Sequence, residues 1–301
     1  MTTSRSADAP AVPPALGLAV AILAISTGAV LVRLSTAPSS VAALYRVTFT
    51  TIPLVPVLLV QYRDQLRRIT GRDLGFAVVS GIALAIHFAS WFESLEWTSV
   101  AASVTLVQAQ PVFVAIGAWL LLRETVTRTM AFGIAVAVLG VVGMSVGDLL
   151  SGGLVGEAPL YGNALALCGA VMAAVYVLAG RSLRQRVALV PYVVIVYGVC
   201  ALALLAFVLV RGLPLVGYPA REWWIFVGLA VGPGLFGHTV INWALAHVDS
   251  SLVSVSMLGE PVGATLLAFA VFLEVPTSAT LTSGAVVLAG IYLTARGRPD
   301  A

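Results

Sequence analysis

Apolar residues in this chain come in runs of about 20, separated by short polar breaks. A helix of that length rises about 30 Å, the thickness of the hydrocarbon core of a bilayer. Ten such runs can be marked, at 15–34, 41–60, 74–95, 100–122, 128–146, 160–180, 190–210, 223–246, 251–273 and 277–295. The pattern predicts an all-α polytopic membrane protein with ten transmembrane helices. Strands of an outer-membrane barrel would alternate apolar and polar positions over about ten residues, and no stretch reads that way. Residues 1–14 are rich in Pro, Ala and Ser and are expected to form a disordered tail. The first run ends in VRLS, not in a small-residue cleavage site, and more spans follow it. It therefore reads as a retained span, not a signal peptide.

The pattern is also written twice. Pro111 precedes Glu124 by thirteen residues in PVFVAIGAWLLLRE, and Pro261 precedes Glu274 by thirteen in PVGATLLAFAVFLE. One helix upstream, Gly81 and His87 in GIALAIH match Gly232 and His238 in GPGLFGH. Gly140 and Gly290 fall inside the following run of each half. The offset is half the chain, far longer than a solenoid repeat of about 20–50 residues. Five helices per half is an odd number, so the second half is expected to sit upside down relative to the first. The predicted layout is a five-helix repeat at 15–146, an external loop at 147–159, a second repeat at 160–295 and a tail at 296–301.

Composition agrees with a lipid environment: 60% of residues are hydrophobic, 10% are charged, and the mean hydropathy is +1.03. All 16 basic residues are arginine. Without lysine the chain has no P-loop lysine, no Schiff-base lysine and no lysine general base. The net charge of +3 is spread over short loops and does not point to nucleic acid. With the N-terminus inside, twelve arginines (5, 63, 67, 68, 72, 123, 128, 181, 184, 186, 296 and 298) are cytoplasmic. Arg33, Arg211 and Arg221 lie outside, and Arg46 lies within a span. This bias predicts cytoplasmic N- and C-termini in a multi-pass protein of the plasma (inner) membrane. Cys168 and Cys200 fall inside predicted spans and read as small buried hydrophobes.

With these features the chain resembles the EamA-type permeases of the drug/metabolite transporter superfamily over nearly all of residues 15–295. The resemblance rests on the duplicated ten-span layout and on HFASWFESLEWTSVAASVTLVQAQPVFVAIGAWLLLRE in the first half. It rests equally on SLVSVSMLGEPVGATLLAFAVFLE in the second half and on YGNALALCGAVMAAVYVLAGR as a sixth helix. It implies a secondary carrier for a small organic metabolite, such as an amino acid or an amphiphilic compound, moved outward by alternating access. It further implies that spans one, three, four, six, eight and nine surround a central cavity, with five and ten at the periphery. An uncoupled facilitator of the same fold is the alternative.

Polar residues inside spans are costly and usually face the bundle interior or water. Glu260 lies about ten residues into the ninth span, near the bilayer midplane, and aligns with Gln110 in the fourth. It either binds a cationic group or carries a proton, or it is a protonated, hydrogen-bonded structural acid, with Ser256 one turn away as a partner in either case. His87 and His238 sit at matching depths. His87 shares a face with Ser90, Trp91 and Ser94, and His238 shares one with Asn242. Together with Gln108 and Gln110 these residues form the candidate substrate site, on the grounds that His, Trp and Asn can sandwich an organic molecule and bond its polar head. The alternative is a neutral histidine bonded to a neighbouring helix. Ser26, Thr27 and Tyr176 are weaker candidates, since hydroxyls commonly serve helix packing.

Arg46, five residues into the second span, is expected to snorkel to the headgroups or to attract anions at the outer mouth, with Glu93 and Glu96 as pairing partners. Glu124 and Glu274 read as caps or inter-repeat anchors. Pro53, Pro56, Pro111, Pro233 and Pro261 interrupt spans two, four, eight and nine. Pro111, Pro261 and the Gly232–Pro233–Gly234 run are candidate gates. Gly143–Gly147 matches G-x-S-x-G around Ser145, but a nucleophile elbow needs a strand-turn-helix context, so no enzyme is expected. No metal, cofactor or nucleic-acid partner is expected. The expected partners are a small-molecule substrate, the lipid bilayer and, left open, a second copy of the chain in a homodimer.

Overall fold

The computed structural model describes residues 13–123, 125–150, 156–184, 186–240 and 256–297. These residues are helical throughout, with no strand among them. The elements are α1 (Pro14–Leu34), α2 (Ser39–Thr51), α3 (Leu54–Gln61), α4 (Arg63–Leu66), α5 (Gly71–Trp97), α6 (Val100–Val107), α7 (Gln110–Leu122) and α8 (Arg128–Leu150). They continue with α9 (Pro159–Arg184), α10 (Leu189–Val210), α11 (Ala220–Leu229), a π-helical segment (Ala230–Thr239), α12 (Gly259–Phe272) and α13 (Ser278–Arg296). Seven stretches are long and apolar enough to cross a membrane: Leu16–Leu34, Ser39–Gln61, Gly71–Trp97, Val100–Leu121, Pro159–Gly180, Leu189–Val210 and Ser278–Arg296. Arg128–Met144 and Gly259–Phe272 are shorter apolar helices.

Side-chain caps begin several of these helices. Thr70 and Asp73 form a reciprocal capping box at the start of α5. The Ser99 hydroxyl accepts the Ala102 N–H at the start of α6, and Thr277 accepts the Thr280 N–H at the start of α13. Interior breaks follow proline. α2 gives way to α3 beside Pro53, and α6 gives way to α7 at Gln108–Ala109, just before Pro111. Pro233 sits inside the π segment. There the missing N–H and the ring clash are absorbed by a wider turn instead of a full break.

Helix packing repeats between the halves. α5 packs on α9, and the π segment packs on α1. α6 and α7 pack on α9, and α12 packs on α1. α5 packs on α10, and α11 with the π segment packs on α2. α2 meets α10, α6 meets α12, and α8 meets α13. Exchanging the halves turns each of the first three relations into its counterpart and leaves the α2–α10, α6–α12 and α8–α13 contacts unchanged. The backbone repeats as well. Arg123 and Leu273, each one residue before the duplicated glutamate, are left-handed at φ 55° and close their helices.

Glu274 links the halves. One carboxylate oxygen accepts the Val100 N–H at 2.7 Å, and the other pairs with Arg33 at 3.2 Å. Glu124 lies outside the described residues, so the matching anchor is not described. α8 and α13 approach at backbone distance. A Cβ on Gly290 would lie 2.3 Å from the Ala137 nitrogen, and one on Gly140 would lie 2.7 Å from that of Val287. Large apolar side chains such as Leu59, Val60, Leu120, Leu139, Leu202 and Val210 are exposed, as a lipid-facing surface requires. The Gly143–Gly147 stretch lies within α8, so the backbone there is helix and not a strand-turn-helix elbow.

Candidate functional site

A cavity of about 140 Å³ lies where the broken helices converge. α5 supplies Leu84, His87, Phe88 and Trp91, the α6–α7 break supplies Gln108 and Gln110, and the start of α12 supplies Glu260. Arg46 of α2, Tyr176 of α9, Tyr197 of α10 and Pro233 of the π segment complete the polar and kinked part of the wall. Irregular backbone at such depth is tolerated where it lines a cavity. α7 and α12 both begin at this cavity, so the positive ends of two helix dipoles lie at its edge.

The carboxylate of Glu260 accepts a hydrogen bond from Gln108 Nε2 at 2.6 Å. Its backbone carbonyl accepts from Ser26 Oγ at 3.3 Å, which ties α12 to α1. His87 donates from Nδ1 to the Gly169 carbonyl at 2.9 Å, which orients the ring. Trp91 stacks on His87 at 5.9 Å between ring centroids and is 5% exposed, and its indole Nε1–H has no partner.

Arg46 is the main correction to the sequence reading. Its side chain does not snorkel and does not sit at an outer mouth: it is 3% exposed and lines the central cavity. The guanidinium lies 4.5 Å from the Phe88 ring centroid, 5.6 Å from that of Phe92 and 5.8 Å from that of Trp91. Three aromatic faces therefore hold the cation, and Nη1 has no hydrogen-bond partner. Glu93, expected as its pairing partner, instead accepts from Ser39 Oγ and Trp97 Nε1. The face expected around His87 is narrower than the spacing implied. Ser90 bonds back to the Ile86 carbonyl, and Ser94 is buried against Ser103. Thr27 bonds the carbonyl of Ala24, and Ser26 that of Ile22, as packing hydroxyls do.

Of the remaining candidates, the side chain of His238 and all of Asn242 lie outside the described residues. Pro111 lines a neighbouring cavity of about 190 Å³ together with Gln108, Gln110 and Tyr292. Gly232 and Gly234 pack the π segment against its neighbours: a Cβ on Gly234 would lie 2.5 Å from Thr50 Oγ1. Pro261 is buried. The sequence reading did not place Arg46 and Tyr197 in the central wall. Tyr197 carried no signal beyond its position opposite Arg46 in the aligned halves. A larger lateral pocket, about 680 Å³, is walled by Ile82, Ala85, Ile86 and Phe207 and rimmed by Glu93 and Arg211.

These features define a helical membrane protein with a cavity at its helix breaks that is lined by polar and aromatic side chains. Residues 14–146 and 160–296 each match the EamA-like transporter family, and the chain belongs to that family. It is a membrane transporter. An uncharacterized transporter of Archaeoglobus fulgidus is 29% identical over 239 residues, covering 77% of this chain and 81% of that protein. A crystal structure 21% identical in sequence is similar in fold, with a TM-score of 0.60 over 93% of this chain and 96% of the other.

Proposed function

We propose that this chain is a proton-coupled secondary transporter of ten spans in two inverted five-helix repeats. It carries a small organic metabolite outward across the plasma membrane by alternating access around the central cavity. The observation that carries the reading is Glu260, the one carboxylate among the described residues of this cavity, placed with Gln108 at the helix breaks of both halves between aromatic walls. Paired contacts between the halves and the two left-handed helix ends support the repeat. Family membership supports the transport class. An uncompensated ionised carboxylate in a dry site costs several kcal/mol. Glu260, which shares its cavity with the Arg46 guanidinium, therefore ionises while the cavity is empty and wet and takes up a proton when substrate displaces that water.

Glu260→Gln keeps the shape and the bond to Gln108 and cannot titrate. In liposomes the variant is expected to exchange substrate across the membrane without responding to a pH gradient. A variant that still concentrates substrate against its gradient would make Glu260 structural. A wild type indifferent to pH gradients would establish the uncoupled facilitator instead.

A further inference from the structure

We infer that the central cavity takes an organic anion, a ring-sized monocarboxylate whose carboxylate is held by the Arg46 guanidinium and the Trp91 indole N–H, and that it loads together with a proton on Glu260. The inference rests on the transporter reading and assigns the substrate class of that site.

Among the described residues, two buried donors in one cavity lack acceptors: Arg46 Nη1 and Trp91 Nε1. Native interiors rarely leave such groups unsatisfied, and each is an unmet demand that a ligand can fill. Arg46 is the sharper case. Among the described residues no carboxylate lies within ion-pair distance of it, and the three rings around it supply no hydrogen-bond acceptor in the plane of the guanidinium. A guanidinium held by aromatic faces with Nη1 unpaired suits a charge-assisted hydrogen bond to a carboxylate. The starts of α7 and α12 at the cavity add positive potential in the same place. The walls of Phe88, Trp91, Leu84 and Tyr176 accept an apolar or aromatic body. Their volume of about 140 Å³ is near that of a cavity known to hold benzene, about 150 Å³.

Glu260 decides the stoichiometry. Among the described residues, the titratable and charged groups around the anion are Arg46 from α2, His87 from α5, Tyr176 from α9, Tyr197 and Cys200 from α10, and Glu260 from α12. Empty, the cavity balances the Arg46 cation against ionised Glu260. An entering carboxylate would leave two negative charges on one positive charge in one cavity. Protonating Glu260 restores the balance, so one anion and one proton load together and leave together. No bond is made or broken in this step beyond the transfer of a proton from water to the Glu260 carboxylate.

Benzoate, benzamide and benzamidine have nearly the same shape and carry negative, zero and positive charge. Binding of each to the full chain in lipid nanodiscs is the test. Benzoate should bind, benzamide should be weaker by about 10- to 100-fold, and benzamidine should not compete. Arg46→Gln should weaken benzoate by a similar factor. Trp91→Phe keeps the ring, removes one donor and should cost about three- to tenfold, which keeps the test valid if Arg46→Gln does not fold. Titration calorimetry in buffers of different ionisation heat should show about one proton taken up per benzoate by wild type and none by Glu260→Gln.

Arg46→Gln folded and binding benzoate like wild type would overturn the anion site, as would benzamidine binding as well as benzoate. Absence of benzoate binding would overturn the ring-sized monocarboxylate class. Benzoate bound without proton uptake would overturn the joint loading. A wild type that binds in the expected way but moves no solute in liposomes would remove the transporter reading and leave the anion site standing.

Discussion

Arg46 shows how a residue's role depends on neighbours that sequence spacing does not supply. Five residues from the predicted end of a span, a long cationic side chain has a headgroup within reach, and snorkelling follows. The packing of α2 against α5 puts Phe88, Trp91 and Phe92 around the guanidinium instead, and holds it inside. His87, Trp91, Gln108, Gln110 and Glu260 were legible because each is a polar or amphipathic group at mid-span depth, where the cost of burial needs a reason. Glu222, just before the eighth predicted span, shows the same dependence at the outer end. It is buried, which by itself pushes its carboxyl up. Hydrogen bonds from Ser35 Oγ at 2.6 Å and from the backbone N–H and hydroxyl of Thr36 outweigh this and hold it below its ordinary value of 4.5. A depressed carboxylate stabilises the fold fully above that ordinary value, and its contribution fades as pH falls through the lower folded value. Thermal unfolding from pH 7 to pH 3 should therefore show a loss below about pH 4.5 that Glu222→Gln lacks. An unchanged acid limb in that variant would take Glu222 out of the account.

Helix boundaries follow from local chemistry, and the sequence exposes them where that chemistry is proline or a cap. α1 starts at Pro14 and ends at Leu34 against a predicted span of 15–34. The interruptions beside Pro53 and Pro111 are both present. The π segment was not legible, because a proline flanked by glycines predicts a kink of any kind. The choice of a wide turn is made by α1 and α2, which press on Gly237 and Gly234. The left-handed ends at Arg123 and Leu273 were equally hidden, since neither residue favours that conformation. Leu273 is 76% exposed, so its side chain contributes little packing. Leu273→Gly should raise thermal stability by an amount equivalent to about 1 kcal/mol. A fall on melting would show that the leucine side chain matters more than its backbone strain.

For the whole molecule, the ten-run hydropathy pattern and the arginine count set an orientation that labelling can check. In a Cys168→Ser, Cys200→Ser background, Val216→Cys in the loop between α10 and α11 should react with an impermeant reagent from outside intact cells. Arg68→Cys, between α4 and α5, should stay protected until the membrane is opened. The reverse pattern would invert the topology. The duplication was legible because proline and glutamate at a fixed separation survive in both halves. The inward position of each helix face was less so, since in lipid both faces of a span are apolar and periodicity loses its contrast. The close contact of α8 with α13 bears on how such a molecule moves. With backbone against backbone at Gly140 and Gly290, neither helix can roll or slide without steric collision. If the bundle works by alternating access as proposed, the pair is its keel: a stiff member that gives the moving helices something fixed to turn against.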